Sequence, residues 1–143
     1  MVATNKEIVR RYYDAGHHND LGAWDTICSP DMVLDVGFIP PIHGLEGVRQ
    51  FTAGMHSAFS DFFLSVDDSI AEEDRVAVRW TEGGTHSGPL VSPDGAVIPP
   101  TGKRVALTGI SLLRVANGKI TEERVQADIL GFMQQLGVVP PPG

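Results

Sequence analysis

Asn117-Gly118-Lys119-Ile120-Thr121-Glu122-Glu123-Arg124-Val125-Gln126-Ala127-Asp128 reads as a tight turn followed by one long strand. Asn-Gly adopts the positive backbone torsions that a short hairpin turn needs. By the period of two, Ile120, Glu122, Arg124, Gln126 and Asp128 share one face, and Thr121, Glu123, Val125 and Ala127 the other. The strand closes on Asp128, with an apolar turn from Ile129 to Met133 behind it and then Gln134-Gln135-Leu136-Gly137. An apolar lid disfavours the charged form of a carboxyl, which suits it to take protons near neutral pH. Asp128 is therefore the first candidate base. Gln126 would lie about 7 Å from it along the strand and Arg124 about 13 Å. This face is polar for one that should look into a core. Pattern alone leaves it solvated, against a partner subunit, or lining a polar pocket, and favours the first.

Outward from this strand, the chain places its helices first and its strands after. Thr4 with Glu7 makes a capping-box pattern ahead of Ile8, Tyr12 and Ala15, predicting a helix that ends near Gly16. Asp20 can cap a second, short helix carrying Leu21, Trp24, Ile27 and Cys28, stopped by Pro30. Met32 to Val36 reads as a strand broken by Pro40-Pro41. Leu45, Val48, Phe51, Met55 and Phe59 then recur at helical spacing. The segments 62–70, 75–86, 104–115 and 119–127 all read as strands joined by turns. Helices followed by consecutive long strands argue for a single α+β domain over residues 1–143 with an antiparallel sheet.

The chain has 143 residues and a formal charge of −7, with no basic stripe to offset it. Such a surface repels nucleic acid and anionic membranes. No segment approaches the length needed to span a bilayer, and the first residues show no secretory pattern, so a cytoplasmic protein is expected. Cys28 is the single cysteine and reads as a small core residue. Neither HExxH nor a phosphate-cradling glycine loop nor a GxSxG elbow occurs, and no metal is expected.

The GKI…E…D…QLG pattern over Gly118–Gly137 resembles the C-terminal signature of the SnoaL-like polyketide cyclases. Gly84-Thr85-His86-Ser87-Gly88, Pro99-Pro100-Thr101-Gly102-Lys103-Arg104 and Ser29-Pro30-Asp31 extend the resemblance over nearly the whole chain. The family often has Trp where this chain has Arg124, and the loop between His86 and Pro99, with its Pro93-Asp94-Gly95 turn, looks longer here. The resemblance implies N-terminal helices packed in the concavity of a strongly curved sheet, the cone shared with nuclear transport factor 2. It also implies a homodimer and a cofactor-independent aldol ring closure on a hydrophobic or polycyclic small molecule. Asp128 falls at the family's catalytic acid/base position. His86 and Gln126 would hold the developing oxyanion. Asp35, where the family commonly has a polar residue facing the cavity, either faces solvent or adds a second polar group to the pocket. Tyr12, Tyr13, Trp80, Met55, Phe59 and Phe63 are core residues by default, and a subset would wall a pocket. Two alternatives remain. One is another cone enzyme (isomerase, dehydratase or hydrolase), with Asp35 or His86 as a second titratable group. The other is a non-catalytic binding module in which Arg124 neutralises Asp128.

Overall fold

Thr4 accepts a hydrogen bond from the Glu7 backbone N–H at 3.2 Å, and the Glu7 carboxylate accepts from the Thr4 N–H at 3.4 Å. This reciprocal cap starts helix α1, Asn5–His17, whose buried stripe is Ile8, Val9, Tyr12, Tyr13 and Ala15. The computed structural model of the chain describes residues 3–92 and 95–141, so Pro93 and Asp94 of the predicted turn lie outside the described residues.

The second, short helix forms as a 3-10 helix over Leu21–Thr26; it ends before Ile27 and Cys28, and strand β1 already begins at Cys28, spanning Cys28–Asp35. Its pairing is irregular between Cys28 and Val33, which accommodates Pro30 without a lost ladder bond. A two-residue strand β2, Ile42–His43, precedes α2, Leu45–Ala58. Strands β3 (Phe63–Glu72), β4 (Arg75–Thr85), β7 (Arg104–Ala116) and β8 (Lys119–Ala127) follow the predicted segments closely. A small hairpin, β5 (Leu90–Val91) with β6 (Val97–Ile98), fills the loop after His86.

The main sheet runs β2–β1–β8–β7–β4–β3. It is antiparallel apart from β1 beside β8, a parallel pairing that the order of elements does not reveal. Irregularities between Val66 and Asp68 in β3, and opposite Arg114 and Val115 in β8, bend the sheet towards the helices. Gly109 marks a close approach: a Cβ there would stand 2.5 Å from the Trp80 ring.

The second of these irregularities corrects the face assignment of β8. Val115 pairs with Ile120 and Arg114 with Glu122, so Thr121 is an extra residue. Parity changes across it: Ile120, Glu123 and Val125 are buried, while Arg124 and Gln126 are exposed. Beyond β8 the chain forms a full helix, α3 (Ile129–Leu136), rather than a short turn. Phe132 and Leu136 bury against the core, and Gly137 ends the helix in the left-handed region at φ 80°. Gln135 fastens α3 to the edge of β7 that β8 leaves open. Its Oε1 accepts from the Ala106 N–H at 2.7 Å and its Nε2 donates to the Ala106 carbonyl at 2.8 Å. The Gln-Leu-Gly signature is thus a rung, a plug and a cap.

Candidate active site

The bulge at Thr121 turns Glu123 inward, and the chain surrounds it with donors. Tyr12 Oη donates to Glu123 Oε1 at 2.6 Å and Tyr13 Oη donates to Oε2 at 2.6 Å. Ser111 Oγ, on β7, also donates to Oε2 at 2.7 Å. Ser111 in turn accepts from the Trp80 indole N–H at 2.8 Å, so a relay runs from indole to hydroxyl to carboxylate. Adjacent tyrosines on one helix reach one carboxylate because Tyr12 and Tyr13 straddle the buried stripe of α1. Burial, and then the Glu123 charge, raise both phenols well above their ordinary range, so both keep their protons and remain donors.

Glu82 is the second inward carboxyl. It continues the concave row of β4 after Val76, Val78 and Trp80, with Leu64 and Leu107 as its cross-strand neighbours. No described residue hydrogen-bonds its carboxyl. Removal from water, and then the Glu123 charge, push it up to about 8. Neither glutamate was singled out by periodicity. The available signals were the Tyr12-Tyr13 pair on an inward stripe and a Glu on a strand otherwise alternating to apolar residues.

Asp128 caps α3: its Oδ1 accepts from the Gly131 N–H at 3.0 Å, and its backbone N–H donates to the Thr108 carbonyl. It is exposed, because α3 turns onto β7 instead of folding over it as a lid. Arg124 pairs with Glu122 at 3.1 Å, not with Asp128. Asp35 is partly exposed, its Oδ1 accepting from the Gly37 N–H at 3.0 Å, and it stands opposite Arg124 in register.

His86, expected at a pocket mouth, is fully buried beside Phe59, at 5.5 Å between ring centroids. Its Nδ1 accepts from the Thr101 N–H at 3.2 Å, which fixes the neutral proton on Nε2. That Nε2 has no partner in hydrogen-bond geometry. Burial pushes His86 down from its ordinary range, and the Gly88 backbone offsets part of this. The histidine thus clamps the end of β4 to the loop before β7. Trp80 and Phe59 are core residues, while Met55 and Phe63 are half-buried. The sequence-derived residues therefore divide between the Glu123 cluster (Tyr12, Tyr13, Trp80), the outer face of β8 (Arg124, Gln126) and the start of α3 (Asp128).

A groove of about 350 Å³ opens between α1 and the β3–β4 pair, lined among others by Lys6, Arg10, Tyr13, Val66 and Val78. No three His, Cys, Asp or Glu side chains converge as metal ligands among the described residues. Nor is any helix among them long and apolar enough to cross a membrane.

A family profile described as SnoaL-like polyketide cyclase matches residues 6–136. The chain is 27% identical over 133 residues to nogalonic acid methyl ester cyclase of Streptomyces nogalater, covering 87% of this chain and 89% of that protein. It superposes with a TM-score of 0.82 on a candidate SnoaL-like polyketide cyclase from Jannaschia sp. CCS1, 25% identical over 96% of this chain and 93% of that one. AclR, a candidate hydroxylase from Streptomyces galilaeus, gives a TM-score of 0.79 at 29% identity, over 97% of this chain and 84% of that one.

Proposed function

Because the chain belongs to the family of SnoaL-like polyketide cyclases, we propose that it closes a ring in a polyketide-derived polycyclic ketone by intramolecular aldol addition, without a cofactor. The observation that carries this reading is the state of Asp128. One carboxylate oxygen is oriented by the Gly131 N–H, the other has no donor among the described residues, and the nearby cation Arg124 is engaged by Glu122. A carboxylate so held is oriented and free to accept a proton.

In this scheme Asp128 removes a proton from a carbon flanked by carbonyls, and the C–H electron pair becomes an enolate. The enolate carbon bonds to a second carbonyl carbon of the same molecule, whose π pair moves onto oxygen as an alkoxide. Protonated Asp128 returns its proton to that alkoxide and is regenerated as the carboxylate. The substrate delocalises its own carbanion, so the protein supplies position and one base.

The test compares wild type with Asp128→Asn on tricyclic polyketide methyl esters, following ring closure by absorbance. A loss of about 100-fold or more in kcat with retained binding is expected. Turnover within twofold of wild type in the Asn variant removes Asp128 from the scheme. Ligand binding without turnover in either protein favours a binding module instead.

The same reading includes a homodimer through the convex face, where Ile70, Ile110 and Leu112 are 68%, 56% and 40% exposed. Sedimentation of wild type against Ile110→Glu distinguishes dimer from monomer. A second reaction on this scaffold is the alternative, favoured by the likeness to AclR, whose candidate activity is hydroxylation.

A further inference from the structure

Burial along the concave face is uneven. Val76, Val78 and Leu113 are at most 1% exposed, whereas Leu64, Val66 and Glu82 are only partly buried. The cone is therefore packed solid at one end and open to water on its β3–β4 side. The groove beside α1, lined by Tyr13, Val66, Ser69 and Val78, lies further along the same β3–β4 side.

At that opening stands a carboxyl with apolar cross-strand neighbours and no hydrogen-bond partner. The titratable groups facing it are few. Glu123 approaches from β8 and Tyr13 from α1. His17 already accepts from the Leu64 N–H, and His56 of α2 is bonded to the Gly16 carbonyl. Helix α3 carries no titratable side chain, and Lys6 and Arg10 lie in the groove. Glu123 is engaged by three hydroxyls, so it is the settled anion, and the unpartnered Glu82 is the group that takes up the proton.

We infer that this part of the concave face is a carbonyl-binding site, in which protonated Glu82 donates a hydrogen bond to a ketone oxygen of the bound molecule. The ligand class rests on the proposed ring closure; the donor does not. A neutral acid among apolar neighbours holds a ketone oxygen and holds it more strongly as negative charge develops there. Ionised Glu82 has no proton to give and repels that oxygen, so binding weakens as pH rises.

The experiment titrates wild type and Glu82→Gln with 9-fluorenone, a flat tricyclic ketone with no titratable group, by fluorescence from pH 6.5 to 9.5. The Glu82 carboxyl is followed separately by ¹³C NMR. Wild-type affinity is expected to fall about tenfold or more, tracking the Glu82 titration. Glu82→Gln, which keeps a donor, is expected to bind with no more than a twofold change over the same range. Four results overturn the inference: pH-independent binding, the same slope in the Gln variant, affinity that rises with pH, or no binding. If fluorenone binding follows Glu82 but no ester is turned over, ring closure falls and the site stands. If esters turn over while fluorenone binding ignores Glu82, the reverse holds.

Discussion

Replacing Tyr13 with Phe removes one hydroxyl and leaves the ring in its place. In the native chain that hydroxyl donates to Glu123 Oε2 at 2.6 Å, in a buried site. Hydrogen bonds to charged groups contribute about 1.5–3 kcal/mol, more than neutral pairs. The loss does not orphan the carboxylate, since Ser111 still serves Oε2 and Tyr12 still serves Oε1. The cost therefore falls in the lower part of that range, about 2 kcal/mol. For a chain of this length that corresponds to a fall in Tm of roughly 6–8 °C. Urea unfolding at pH 7 measures the free energy directly.

The sharper test is a cycle with Glu123→Gln. Glutamine retains an acceptor but no charge, so in that background Tyr13→Phe should cost under about 1 kcal/mol. The coupling, about 1 kcal/mol or more, reports the charge and not the packing of the ring. A Tyr13→Phe cost below about 0.5 kcal/mol, or an equal cost in both backgrounds, would refute the idea that the tyrosine is there for the carboxylate.

Three further outcomes are expected. Folded Glu82 holds its proton up to about pH 8, against 4.5 for the free group. A group raised in the folded state stabilises fully below its unfolded value and loses that contribution as pH climbs through the folded one. Wild type should therefore lose about 4 kcal/mol relative to Glu82→Gln between pH 5 and 8.5, out of a ceiling of about 5 kcal/mol; parallel Tm curves for the two proteins would contradict this. Gln135→Ala removes the rung to Ala106 and should cost about 1 kcal/mol, with faster amide exchange along 129–136 and little change elsewhere. Cys28 is 1% exposed and burial pushes its thiol up to about 12, so a thiol reagent at pH 8 should label it only upon unfolding.

The α+β order, the capped first helix and the long strands were legible because each follows from local chemistry: a capping box, a 3.6-residue stripe, turns at Asn117-Gly118 and Glu72-Glu73. What escaped depended on non-local pairing. That β1 runs parallel to β8 is decided by the connection through α2 and not by either strand's composition. That Ile129–Leu136 is a helix is decided by its apolar face meeting β7 and by Gln135 completing an unpaired strand edge.

The candidate site shows the same division at a single residue. Strict alternation carries Ile120 to Asp128 along one face, and it holds only while every residue has a partner across the ladder. Thr121 has none, and that one unpaired residue exchanges the inward positions. Glu123 goes into the core, where an ionised group is tolerable only with its lone pairs filled, and Tyr12, Tyr13 and Ser111 fill them. Removal from water, and then this settled negative charge, leave the proton on Glu82. Deleting Thr121 would leave Ile120, Glu123 and Val125 alternating inward in regular pairing, so Glu123 should stay buried without the bulge.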